Sequence, residues 1–94
     1  MNTAEYLHSL FSLEGKTILV TGAAGGIGAA ISAGLARAGA EVALCGRTLS
    51  KCEELVNQLS AEGCHVSAHL LDVADRSSIQ SCVDEVVARY GKID

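Results

Sequence analysis

The run Thr17-Ile18-Leu19-Val20-Thr21-Gly22-Ala23-Ala24-Gly25-Gly26-Ile27-Gly28 decides how the rest of the chain is read. Its first five residues are mostly apolar and rich in β-branched side chains, the pattern of a strand covered on both faces. Glycines follow at 22, 25, 26 and 28, and then Ile27, Ile31 and Leu35 recur at helical steps as far as Ala38-Gly39. Glycine at 39 suits a helix stop, because it tolerates the left-handed backbone found there. A buried strand, a glycine turn and an amphipathic helix therefore stand in direct succession.

The same unit repeats downstream. Glu41-Val42-Ala43-Leu44-Cys45 reads as a second strand. Ser50, with Glu53 three residues on, reads as the capping box of a helix whose apolar face is Leu55, Val56 and Leu59 and whose end is Gly63. A third strand spans about His65 to Leu71. Asp75 or Ser77 caps a last helix, with Ile79, Cys82, Val83, Val86 and Val87 facing inward and Gly91 as the stop. Alternating strands and helices require crossover connections, so the strands are expected to be parallel. Right-handed crossovers then give an α/β fold: the N-terminal half of a doubly wound parallel sheet, three βα units in strand order 3-2-1.

Residues 1–14 stand apart as an N-terminal arm. Tyr6, Leu7, Leu10, Phe11 and Leu13 fall at helical spacing, and the arm is expected to pack on the domain or on a neighbouring subunit. The net charge of −4, with no cluster of Lys or Arg, argues against nucleic acid and anionic membranes as partners. No run approaches the roughly 18–20 apolar residues that span a bilayer, and the N-terminus lacks the pattern of a secretory or transit signal. A cytoplasmic location is the expectation. Cysteines at 45, 52, 64 and 82 form no C-x-x-C pair and read as buried or half-buried free thiols. His65 and His69 lie near Cys64, but the spacing fits no common zinc pattern, and no metal site is expected.

The glycine turn has a chemical reading. A pyrophosphate needs backbone N–H groups at short range and the positive end of a helix dipole. Gly22 permits the sharp exit from the strand, Gly25 and Gly26 leave room for phosphate, and Gly28 lets the helix pack closely on the sheet. Ala24 and Ile27 complete the candidate cofactor-binding turn. The spacing is G-x-x-x-G-x-G, which differs from the commonest dinucleotide fingerprint.

With these residues in view, the sequence resembles the short-chain dehydrogenase/reductases. Thr21 to Gly28 fits their T-G-x-x-x-G-x-G turn in full. Asp72-Val73, after the third strand, fits the acidic position that contacts the adenine ring in these enzymes. Tyr90-Gly91-Lys92-Ile93-Asp94 looks like the segment before their fourth strand, and Leu10 to Lys16 is similar to the N-terminal approach of gluconate 5-dehydrogenases and 3-oxoacyl carrier-protein reductases. The resemblance covers residues 15–94. It implies a dinucleotide-binding Rossmann half-domain that stops short of the fourth strand, and a nicotinamide dinucleotide as partner.

An NAD-preferring site usually carries an acid at the end of the second strand, about twenty residues past the turn, for the ribose 2′-hydroxyl. Here that window is Leu44-Cys45-Gly46-Arg47-Thr48. Arg47 can instead reach a 2′-phosphate, so NADP(H) is expected over NAD(H). The resemblance also implies a Tyr-x-x-x-Lys pair and a Ser as catalytic groups. Tyr6 and Tyr90 have Leu10 and Asp94 four residues on, so no catalytic residue is assigned. The expectation is the cofactor-binding part of a carbonyl/alcohol oxidoreductase, a fragment inactive alone, with oligomers only if the rest of the fold is present. A non-catalytic nucleotide-binding or interaction module is the alternative.

Overall fold

The computed structural model describes residues 1–94. Its elements are α1 (Thr3–Phe11), β1 (Thr17–Thr21), α2 (Gly26–Arg37), β2 (Glu41–Gly46), α3 (Leu49–Ala61), β3 (His65–Leu70) and α4 (Arg76–Tyr90). The three strands form one parallel sheet with β2 in the centre, which is the expected order 3-2-1. Thr17 pairs with Glu41 and Glu41 with His65, and the register continues to Thr21, Cys45 and His69. All three strands therefore end at one level. No helix is long and apolar enough to cross a membrane.

Strand β2 explains the layering. Its side chains alternate across the sheet, and both faces are buried, so a continuous apolar run is needed. Val42 and Leu44 pack with Ala36, Cys52, Leu59 and Val66 under α2 and α3. Ala43 and Cys45 pack with Leu71, Cys82 and Val86 under α4. Cys45, Cys52 and Cys82 are buried free thiols and Cys64 is half-buried, as expected. The Cys82 thiol lies 3.5 Å from Cys45 Sγ, and burial, reinforced by that contact, pushes the Cys45 thiol well above its ordinary value.

A polar chain ties α4 to β3. Ser67 and His69 share the buried face of β3, and Ser67 Oγ lies 2.8 Å from His69 Nε2. His69 Nδ1 is 3.0 Å from Glu85 Oε1, and Tyr90 OH is 2.6 Å from Ser67 Oγ. Buried polar groups must be paired in this way or lose their hydration without return.

The structure corrects three details of local reading. Helix α3 is capped by Thr48, whose side chain makes no capping bond, and Ser50 lies inside the first turn. The Lys51 and Cys52 N–H groups both donate to the Thr48 carbonyl, because the helix must start early enough to seat Cys52 under Gly46. In α2 the buried residues are Ser32 and Ala36, while Ile27 is 81% and Ile31 51% exposed. Small residues face the sheet there because the helix lies so close to it. In α4, Cys82 and Val86 are buried, whereas Ile79 and Val87 stay exposed. Helix α1 of the arm buries no residue within this chain, where Tyr6, Leu7, Leu10 and Phe11 are exposed, which leaves the neighbouring-subunit alternative open. Only Leu13 reaches the core, its N–H donating to the Ala38 carbonyl.

Two stability predictions follow from the polar groups. Ser32 Oγ is fully buried with no partner, and an unpaired hydroxyl costs about 1–3 kcal/mol. Ser32→Ala is expected to raise Tm by about 4 °C or more in a thermal melt; a lower Tm would show that the hydroxyl has a partner. Separately, the Asp94 carboxylate accepts from Lys92 and from the Thr17 N–H, which hold it below the usual carboxylate range. Asp75, accepting from Ser77, is lowered likewise. A depressed folded-state pKa adds stability that is present above the unfolded value near 4 and is lost as pH falls through the folded one. Urea denaturation of Asp94→Asn should therefore show lower stability than wild type at pH 6 and a difference that shrinks as pH is lowered below about 4.

Candidate nucleotide-binding site

Because β1, β2 and β3 end in register, the segments after them lie side by side. Gly22, Arg47 and the Leu71-Asp72-Val73 segment are thus brought to one edge of the sheet. Crevices outside the carboxyl ends of parallel strands are where such folds hold ligands.

The turn after β1 is built from backbone geometry. Gly22 has φ +64°, a left-handed conformation that L side chains rarely adopt. Its carbonyl accepts from the Gly25 N–H at 3.2 Å, and the Ala23 N–H donates across to the Cys45 carbonyl at 3.1 Å. Ala23 is wholly buried, so the turn is anchored to the end of β2. Helix α2 then begins at Gly26 with no side-chain cap, which leaves the N–H groups of Gly26, Ile27 and Gly28 without intrahelical acceptors.

Gly28 and Gly26 play opposite parts. A Cβ at Gly28 would sit 2.1 Å from the Gly22 carbonyl oxygen and 2.9 Å from its carbon. Only hydrogen fits, and the helix therefore closes directly on the turn. At Gly26 an added Cβ meets nothing within 4 Å. The outer side of the turn is open backbone, with donors, the positive helix end and no side chain in the way. A phosphate-bearing cofactor fits that surface.

Two hollows flank the turn. One of about 300 Å³ is lined by Thr21, Gly22, Gly46, Arg47, Leu71 and Val73. The other, about 190 Å³, joins Gly22, Ala24 and Gly25 to Arg47, Thr48 and Lys51. Arg47 makes no ion pair or side-chain hydrogen bond and is free to meet a ligand. Asp72 is set further over, in a hollow of about 470 Å³ shared with Arg47, Ser78 and Glu85. Its Oδ1 accepts from the Ala74 N–H at 3.0 Å and its own N–H donates to Ser78 Oγ at 2.9 Å. One carboxylate oxygen thus organises the turn that follows, and the other has no protein partner. Ile27 is exposed beside the open N-terminus of α2. Thr48 and Lys51 complete the lining of the smaller hollow, and the sequence signals Lys51 only by its place four residues after Arg47.

The opposite end of the sheet is different in kind. A hollow of about 490 Å³ there is lined by Glu14, Arg37, Glu41 and Glu62 among others. Arg37 is committed to Glu62 through two bonds of 2.9 Å, so the unpaired charge left in that hollow is acidic and unsuited to phosphate.

Comparison with known proteins agrees with this geometry. The family model for short chain dehydrogenases matches residues 16–94. The D-threitol dehydrogenase of Mycolicibacterium smegmatis is 45% identical over 85 residues, 89% of this chain and 32% of that protein. The gluconate 5-dehydrogenase of Gluconobacter oxydans is 41% identical over 85 residues, 90% of this chain and 33% of that protein. A metagenomic short-chain oxidoreductase, solved in complex with NADP, superimposes with a TM-score of 0.82 at 34% identity, covering 87% of this chain and 37% of that one. The chain spans about a third of the length of these relatives.

The contrast between the two glycines is testable without any ligand. Gly28→Ala is expected to destabilise the fold by about 1–3 kcal/mol, as overpacking against backbone does. Gly26→Ala meets open space and gains helix propensity, so its melting temperature should hold or rise. Equal losses in both variants would show that the Gly22–Gly28 contact does not hold the helix in place.

Proposed function

The chain belongs to the short-chain dehydrogenase family, and on that premise we propose that it is the cofactor-binding part of an NADP(H)-dependent oxidoreductase acting between a carbonyl and an alcohol. The observation that carries the cofactor choice is Arg47. It stands unpaired at the end of β2, lines both hollows at the glycine turn, and has no acid among its sequence neighbours from Val42 to Cys52, while Asp72 and Glu85 share a third hollow with it without pairing to it. A carboxylate there would accept from a ribose 2′-hydroxyl and repel a 2′-phosphate. An arginine does the reverse, offering a planar fork of donors to the phosphate oxygens.

Each residue then has a part. The N–H groups of Gly26, Ile27 and Gly28 receive the pyrophosphate, and Gly22 and Gly25 keep side chains out of its path. Ala24 and Val73 line the walls beside the ribose and adenine, and Asp72 offers its free oxygen to the adenine amino group. When bound, the nicotinamide supplies the hydride or takes it up. Tyr90 is not placed for the proton: its hydroxyl is held by Ser67 under α4, away from the glycine turn. That the metagenomic relative was solved with NADP supports the same cofactor class for this chain.

Exchange of the discriminating charge tests the reading. Arg47→Asp is expected to weaken NADPH binding about ten- to a hundredfold, the range of a charge-assisted bond to phosphate. NADH binding should hold or improve. Fluorescence titration with both nucleotides reads the ratio, and an unchanged ratio would remove Arg47 as the discriminator.

A further inference from the structure

We propose that Lys51 is a second specificity-determining cation of this site, reaching the same ribose phosphate from the other side of Arg47; the inference rests on the NADP(H) reading above. Three observations carry it. First, Lys51 lines the hollow that joins Gly22, Ala24 and Gly25 to Arg47, so it borders the space where the ribose end of the nucleotide would lie. Second, Lys51 makes no ion pair, although Glu53 and Glu54 are two and three residues away on the same helix. Its charge is not consumed by the protein.

Third, its position runs against ordinary helix electrostatics. The first turn of α3 contains no acid, and its cap Thr48 gives no side-chain bond to the free N–H groups. Arg47 precedes the cap and Lys51 follows it, so two cations stand at the positive end of the helix dipole. That arrangement is unfavourable in isolation, since anions are the groups stabilised there. A doubly charged phosphate between the two side chains reverses the sign. Arg47 then supplies a rigid fork, and Lys51 a compact charge on a flexible stem that adjusts to the remaining oxygen. A ribose with a free 2′-hydroxyl carries no charge for Lys51 to meet, so the residue discriminates between nucleotides and does not simply strengthen binding.

The test is calorimetric titration of wild type, Lys51→Gln, Lys51→Arg and Arg47→Gln with 2′,5′-ADP and with 5′-AMP. Lys51→Gln is expected to weaken 2′,5′-ADP about tenfold, as loss of one charge-assisted bond does. It should leave 5′-AMP within about twofold and the melting temperature undiminished, and Lys51→Arg should restore affinity. If Lys51→Gln leaves 2′,5′-ADP unchanged while Arg47→Gln weakens it, the role of Lys51 is overturned and the NADP(H) reading stands. Equal weakening of both nucleotides by Lys51→Gln would mark a structural role and overturn it as well. Wild type binding neither nucleotide would defeat the NADP(H) reading and this inference together.

Discussion

The carbonyl oxygen of Gly22 occupies the place where a side chain at Gly28 would begin, and that contact sets the position of everything around it. It lets α2 descend onto the sheet immediately after β1, so the helix points its uncapped N-terminus over the strand ends. The close approach selects small residues along the buried side of the helix, which is why Ser32 and Ala36 are inside while Ile27 and Ile31 are not. The Ala23 N–H bond to Cys45 then locks the turn to β2. One steric constraint thereby fixes the direction of a dipole and the exposure of three amide groups beside the hollows that Arg47 lines.

Charge is distributed to match. Carboxylates dominate the hollow at the amino ends of the strands, where the one arginine is bound to Glu62. At the carboxyl ends, Arg47 and Lys51 are unpaired on one side of the turn and Asp72 stands apart with one oxygen uncommitted. A protein of net charge −4 thus keeps a local cationic spot beside the backbone donors. Short-range recognition of phosphate depends on that local arrangement far more than on net charge.

Much of this was legible in the sequence, for identifiable reasons. The strand–turn–helix at 17–37 was readable because the glycines, the buried run and the helical pattern adjoin one another. The central place of β2 followed from the right-handed crossovers of three βα units in the order 3-2-1. Other features depend on contacts that periodicity does not encode. The inward side of α2 is set by backbone proximity, and of the apolar residues at helical spacing only Leu35 packs against the core while Ile27 and Ile31 stay exposed. The start of α3 is set by the seating of Cys52 beneath Gly46, which a capping-box pattern at Ser50 cannot register. The Ser67–His69–Glu85–Tyr90 chain joins residues up to 23 apart and becomes visible only once α4 lies across β3. Lys51 is inconspicuous in the sequence for a related reason: a lone lysine on an exposed helix is ordinary until the hollow beside the glycine turn is in view.

The central claim is that the open backbone of the glycine turn is the seat of the cofactor's phosphates. Titration of isotopically labelled protein with NADPH, followed by the backbone amide resonances, tests it most directly. The account predicts that the amides of Gly26, Ile27 and Gly28 shift most, with Arg47 and Val73 following, while those of Glu14, Glu62 and His65 at the far end of the sheet stay in place. Saturable shifts centred on the far end, or none at the glycine turn, would contradict it.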